Sequence, residues 1–273
     1  MAIKAADVSK LRKMTGAGMM DCKNALTECD GDFDAAVDAI RKKGQLVASK
    51  RADREATEGC VLAGSKDGVG VVVALRCETD FVAKNDSFVA FAQSILDVVL
   101  ENGASSIEEA NALALEGSTV AEQIVDQTGV IGEKIELAFC EKVEDASVVS
   151  YVHPGNGLAV VVALNKELAD QQTGKDVAMQ VAAMNPISVS KNDVPADVVA
   201  HELEIGKEKA REEGKPEAML DKIAQGRLGK FFKENTLLEQ AFIKENKQSV
   251  QQYLTSVEKD LTVSAFKRYA LAD

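Results

Sequence analysis

A nine-residue stretch occurs twice in this chain, as GVGVVVALR at residues 68–76 and as GLAVVVALN at residues 157–165. The copies lie 89 residues apart and agree at six of their nine positions. Each is a short apolar run rich in β-branched residues, which is typical of a buried strand. Each follows a turn signal, SKDG or HPGNG, and a further strand candidate precedes each turn, GCVLAG or SVVSYV. The sequence therefore predicts two β-hairpins built on one plan.

A helical pattern follows each repeated strand. Its apolar residues recur at three-to-four spacing, as Phe88, Phe91, Ala92 and Ile95 in the first copy and as Val177, Val181 and Met184 in the second. A hairpin followed by a helix, present twice, predicts an α+β fold with a core of two related subdomains, each a small antiparallel sheet covered by helices. We expect the first subdomain at residues 58–145 and the second at residues 146–273.

The N-terminal residues 1–44 have a different pattern. Three apolar groups are separated by the turns TGAG and DGD: Val8, Leu11 and Met14; Met19, Cys22, Leu26 and Cys29; Phe33, Val37 and Ile40. Their spacing predicts a module of three short helices, in which Met14 and Met19 would be assigned to the core. The charged residues 45–57 are interpreted as a linker or an exposed helix.

Residues 195–235 form a third region, charged and helical in pattern. Its halves, ADVVAHELEIGKEKAREE and EAMLDKIAQGRLGKFFKEN, are joined by GKP. This predicts a helical hairpin, of coiled-coil type, that projects from the second subdomain. Its charges favour a solvated face over a binding surface.

Composition narrows the function. Acidic residues outnumber basic ones by 44 to 32, and the net charge of −12 argues against binding to nucleic acid or to an anionic membrane. Without an apolar leader or a long apolar run, the chain is expected in the cytoplasm with its five cysteines reduced. No metal site is expected, because HELEI at His201 lacks the second histidine of a zinc helix. No cofactor is expected either, because the Gly-Lys pairs at Gly174 and Gly214 lack the following Ser or Thr of a phosphate loop.

The two copies diverge directly after the repeated strand. The first reads CETDFVAKND at residues 77–86, where the second reads KELADQQTGKD at residues 166–176. Phe81 therefore stands among charges at a position where the second copy has Asp170, so the shared scaffold does not require it. Either Phe81 is a staple that folds back over the following helix, or it is an exposed apolar anchor for another protein.

Two longer motifs resemble the signatures of the bacterial elongation factor Ts family. They are LRKMTGAGMMDCKNAL at residues 11–26 and CETDFVAK at residues 77–84. The order of the parts agrees as well, because the family has a small UBA-like helical module, a core of two similar subdomains and a helical hairpin. The resemblance covers nearly the whole chain. It departs at Ala74 and Arg76, where the family usually has an acidic residue and an asparagine, and at the C-terminus, where some members continue.

The resemblance implies a guanine nucleotide exchange factor for elongation factor Tu in translation elongation, and not an enzyme that makes or breaks covalent bonds. It implies that Asp80 and Phe81 enter the partner near its magnesium and nucleotide site, while Thr79 and Val82 hold the loop. It implies two further groups of partner-binding residues: Leu11, Arg12, Met19 and Met20 in the N-terminal module, and His153 in the second subdomain. A plain turn histidine is the alternative for His153, and the resemblance leaves open a homodimer or a two-to-two complex.

Two rival classes remain. In an enzyme, Cys77 would be a thiol nucleophile and His153 its base, but the carboxylates next to Cys77 would raise the pKa of its thiol and work against activation. In an assembly or chaperone-like scaffold, the helical hairpin at residues 195–235 would carry the activity, and its deletion would abolish function.

Overall fold

The structure is a computed structural model that describes residues 3–273. The chain divides into two compact units. One contains the residues up to Leu62 together with Val73–Glu141 and Leu271–Asp273, and the other contains Ala63–Val72 and Lys142–Ala270. Helices and small antiparallel sheets make up both units, which confirms the predicted α+β class.

The described N-terminal residues form the module expected there, which we call the N-terminal module. Its helices are α1 (Ala5–Thr15), α2 (Met19–Glu28) and α3 (Phe33–Arg51). The turn between α1 and α2 begins at Gly16, whose φ of 69° is left-handed and suits a residue without Cβ. The buried core of the module consists of small and medium side chains: Val8, Leu11, Ala17, Cys22, Ala25, Leu26 and Ala36.

Helix α3 runs without interruption through the boundary expected after Gly44. Gly44 is buried because it lies against Gly129 of α7 (Val120–Ile131). A Cβ added to Gly129 would lie 2.3 Å from Gly44 Cα, so the two helices cross backbone to backbone. The glycine that resembles a helix end in the sequence is thus a packing residue.

The repeated strand of the first copy is the middle strand of its sheet. The elements that follow the N-terminal module are β1 (Glu58–Lys66), β2 (Val69–Cys77), α4 (Asp80–Ala83), α5 (Asp86–Asn102), α6 (Ile107–Ala112), β3 (Ala114–Leu115), β4 (Ser118–Thr119), α7 and β5 (Glu136–Glu144). The sheet order is β1-β2-β5. Asp67 and Gly68 turn the β1–β2 hairpin with φ values of 50° and 77°, the conformation that a tight two-residue hairpin turn requires.

The repeated strand of the second copy is also the middle strand of a sheet. Its elements are β6 (Ser147–Val152), β7 (Leu158–Leu164), α8 (Gln171–Met184), a 3-10 turn (Lys191–Asp193), α9 (Ala196–Glu212), α10 (Glu217–Asn235), β8 (Ala241–Phe242), β9 (Glu245–Ser249), α11 (Val250–Val257) and β10 (Val263–Ala270). The sheet order is β10-β7-β6, and Val162 of β7 pairs antiparallel with Val149 on one side and with Phe266 on the other.

The duplication extends beyond the nine matched residues. In the first copy the hairpin β3–β4 leads into α7 and then β5, and in the second the hairpin β8–β9 leads into α11 and then β10. Both helices begin with a capping box, Thr119 with Glu122 and Ser249 with Gln252. Sequence reasoning missed this half of the repeat, whose signal is the pair TVAEQ and SVQQY. Helices α9 and α10 are an insertion in the second copy.

The inserted helices pack closely on each other. A Cβ on Gly206 of α9 would lie 3.1 Å from Ala224 Cα of α10. Ion pairs also join the two helices: Lys207 with Asp221, Arg211 with Glu217, and Arg227 with Glu213. Some of the charged side chains of this hairpin therefore form ion pairs with one another.

Within residues 3–273, the helices are all too short or too polar to span a bilayer.

Candidate functional site

The segment after β2, which we call the Phe81 loop (residues 77–86), contains a single helical turn, α4. Thr79 caps that turn, since its Oγ1 accepts from the Val82 amide at 3.4 Å. The turn presents Phe81 to solvent, with 84% of its surface exposed. A side chain so exposed does not pack over the following helix, so in the free chain Phe81 is not a staple.

Glu133, just after α7, fastens the loop at Thr79. Its carboxylate accepts from the Thr79 amide at 3.0 Å and from the Thr79 hydroxyl at 2.7 Å. Two bonds to one residue fix its orientation as well as its position. Glu133 therefore fixes Thr79, the residue directly before the exposed turn.

Glu78 fastens the loop a second time. Its Oε1 accepts from the Lys134 amide at 2.6 Å and from Arg51 Nη1 at 2.7 Å. These bonds favour the charged carboxylate, so the pKa of Glu78 is lowered, first by the Lys134 amide and then by Arg51. Cys77, Glu78 and Thr79 thus point into the protein, and Phe81 points out.

Asp80 is the acidic group next to the exposed ring. Lys84 Nζ, one helical turn further on, donates to Asp80 Oδ2 at 2.7 Å. This bond and the lysine charge lower the pKa of Asp80, so its carboxylate is charged at neutral pH. The tip of the loop combines an exposed aromatic ring with a neighbouring carboxylate.

Cys77 lacks the properties of a nucleophile. Its side chain is fully buried, and its Sγ donates to the Thr79 carbonyl at 3.3 Å. Burial, and then the charge of Glu133, raises the pKa of the thiol to about 12. The thiol is protonated near neutral pH, which disfavours the enzyme hypothesis.

The second copy has the same kind of fastening without the exposed turn. Asn165 Nδ2 donates to the Asp260 carbonyl at 2.9 Å, and Lys166 Nζ donates to the Lys259 carbonyl at 2.6 Å. As in the first copy, the residues after the repeated strand are bound to the segment before the last strand of the copy. That strand is β5 in the first copy and β10 in the second. Helix α8, however, is capped by Asp170, whose Oδ1 accepts from the Gln172 amide at 2.9 Å. The divergent position therefore starts a helix in one copy and carries an exposed ring in the other.

The residues predicted in the N-terminal module differ in exposure. Met19 and Met20, the first residues of α2, are 62% and 63% exposed, and Arg12 is also exposed. Leu11 is fully buried in the module core, so it supports this surface from within. Helical spacing alone would place Met14 and Met19 in the core, but both are exposed, Met14 to 56%, and smaller side chains fill the module.

His153 is exposed in the turn between β6 and β7, in the other unit. Its Nδ1 lies 2.9 Å from the Tyr151 hydroxyl, which orients the ring. Among residues 3–273, no group of three or more His, Cys, Asp or Glu side chains could hold a metal ion.

Sequence reasoning missed the residues that hold the Phe81 loop, namely Arg51, Glu133 and Lys134. Glu133 lies 54 residues after the threonine that it binds, and Lys134 lies 56 residues after its glutamate. No local periodicity marks such residues.

Comparison with known proteins agrees with this architecture. A family model described as "Elongation factor TS" matches residues 78–273. Proteins named elongation factor Ts from Porphyromonas gingivalis and Christiangramia forsetii are 53% and 50% identical to this chain, covering 99% and 98% of it and the same shares of their own lengths. One from Bacteroides fragilis is 42% identical, with 99% of both chains covered. This chain therefore belongs to the elongation factor Ts family.

Proposed function

We propose that this protein is a guanine nucleotide exchange factor for elongation factor Tu and that its Phe81 loop drives the release of GDP. One observation supports this above all: Phe81 is 84% exposed on a turn fastened through Glu78 and Thr79. Exposing an aromatic ring to water is unfavourable in free energy, whereas burying it in a pocket of another protein is favourable. The net charge of −12 favours a protein partner over nucleic acid or an anionic membrane.

In the proposed complex, Phe81 enters the nucleotide-binding domain of elongation factor Tu beside its magnesium site, and Asp80 follows it. Thr79 and Val82 keep the turn in shape. Met19, Met20 and Arg12 contact a helix of the same domain, with Leu11 packed beneath them. His153 contacts another domain of the partner.

The mechanism makes and breaks no covalent bond. Magnesium and the phosphate-binding backbone of the partner neutralise the charge of GDP. An aromatic ring driven between the partner's helices displaces these groups, and the carboxylate of Asp80 opposes the phosphates. Because the two ligands are coupled, a factor that prefers the empty partner weakens GDP binding by the same ratio by which GDP weakens the factor.

A fluorescent-GDP release assay tests the function. Elongation factor Tu loaded with labelled GDP and magnesium is mixed with an excess of unlabelled GDP, with or without the protein. Micromolar protein should accelerate the loss of fluorescence. Release at the spontaneous rate over the whole concentration range would refute the proposal.

Asp80→Asn should slow the maximal release rate by about threefold to tenfold, the ratio expected when one charge interaction in the complex is lost. The substitution keeps the size of the side chain and removes its charge. Asp97→Asn is the matched control, because Asp97 is also an exposed carboxylate, in α5 and outside the Phe81 loop. Stopped-flow traces at saturating protein give both rates, and equal rates for the two variants would show that the charge of Asp80 has no special role.

A further inference from the structure

Arg51 reaches the Phe81 loop from outside the repeated scaffold. It is the last residue of α3, and its side chain is 33% exposed. The Glu78 oxygen that accepts from Arg51 also accepts from the Lys134 amide. One carboxylate oxygen therefore joins the end of α3, the loop and the segment after α7.

Comparison with the second copy shows which of these bonds lies outside the repeated pattern. Its fastening uses Asn165 and Lys166, which lie within the copy and bind its own segment before β10. In the first copy, Glu133 and the Lys134 amide make the corresponding internal bonds. Arg51 is additional to that shared pattern, and it belongs to a helix of the N-terminal module.

Helix α3 is braced near its middle. Near its middle, Gly44 lies against Gly129, and Lys43 Nζ donates to Asp21 Oδ1 of α2 at 2.6 Å. Asp21 stands directly after the exposed Met20. These contacts tie α3 to α2 and to α7, so the helix that ends at Arg51 is connected to the surface that carries Met20.

We propose that Arg51 is a positioning residue that couples the N-terminal module to the Phe81 loop, an inference that rests on the proposed exchange function. In this proposal Arg51 contacts neither the nucleotide nor the partner. It holds Glu78, and through Glu78 it sets the direction in which the exposed turn points when the module is docked. The module then contributes orientation to the loop as well as affinity to the complex.

The test compares Arg51→Ala with Arg41→Ala in the full-length protein. Arg41 is the matched control, because it is an arginine of the same helix and forms an ion pair with Asp126 of α7 at 3.6 Å. Arg51→Ala should lower the maximal GDP-release rate about fivefold, the ratio expected for one net hydrogen bond, while the half-saturating concentration changes little. Arg51→Lys should restore most of the rate, since the bond uses a single nitrogen. Arg51→Ala combined with Glu78→Gln should be no slower than the slower single variant.

A second readout needs no partner. Amide hydrogen exchange at residues 79–83 should be faster in Arg51→Ala than in the wild type, and unchanged in Arg41→Ala. If Arg51→Ala matches Arg41→Ala in both readouts, or if it only raises the half-saturating concentration, the inference is overturned. Another outcome is that the wild type fails to accelerate GDP release although amide hydrogen exchange at residues 79–83 responds to Arg51→Ala. That result refutes the proposed nucleotide-exchange function and leaves Arg51 as a structural support only.

Discussion

Phe81→Ala should slow GDP release from elongation factor Tu by about ten- to a hundredfold, because burying a phenylalanine in a partner contributes about 1.5–3 kcal/mol. The melting temperature of the free protein should hardly change, since the ring is 84% exposed and makes little contact within the chain. Stopped-flow release at saturating protein, with thermal melts of the same samples, measures both quantities.

The control must be an exposed apolar side chain remote from any predicted contact. Met184→Ala suits this purpose, because Met184 is 45% exposed in the last turn of α8. Asp170, which occupies the position of Phe81 in the second copy, is a poor control because it caps α8. A Phe81→Ala variant that melts well below the wild type yet releases GDP normally would identify the ring as a structural residue.

Gly129→Ala should destabilise the protein by about 1–3 kcal/mol, the usual cost of overpacking a close contact. The new Cβ would lie 2.3 Å from Gly44 Cα, and neither backbone can yield without moving its helix. Helices α3 and α7 would separate, and the fastening of the Phe81 loop at Glu133 would shift with α7. Chemical denaturation measures the loss of stability, and the rate of GDP release should fall as well.

Gly226→Ala is the matched control for this prediction. Gly226 lies in α10, where an added Cβ would meet no atom within 4 Å. Alanine is the better helix former by about 1 kcal/mol, so this variant should be equal to or more stable than the wild type. Equal stability of Gly129→Ala and Gly226→Ala would mean that the helices do not cross as closely as described.

The strands and the fold class were predictable because their signals are local. The run VVVAL occurs in both β2 and β7, and its turn residues stand directly before it. A short apolar run rich in β-branched residues, together with turn residues, specifies a hairpin without any distant information. The same holds for α9 and α10, whose ends are marked by Gly214 and Pro216.

Two features of the N-terminal module show what local patterns leave out. Helical spacing identifies a face but not what covers that face, so spacing alone places Met14 and Met19 in a core that Leu11, Ala17 and Cys22 already fill. The boundary expected after Gly44 rests on local propensity. The use of that glycine depends on Gly129, a residue far along the chain.

The candidate site was predictable in its exposed part alone. Asp80 and Phe81 stood out because the second copy lacks them, and the family signature includes them. The residues that hold the turn gave no such signal, because their partners are distant in sequence and only the folded chain brings them together.

The fastened turn of the Phe81 loop has a mechanical consequence. When a wedge is pressed between two bodies, the softest of the three deforms. Energy that bends the wedge is then not available to displace the bodies. The bonds of Thr79 and Glu78 hold this turn in the free protein, so under the proposed mechanism the strain of docking would fall on the nucleotide site of the partner. A compliant loop with the same ring would bind and yet move nothing.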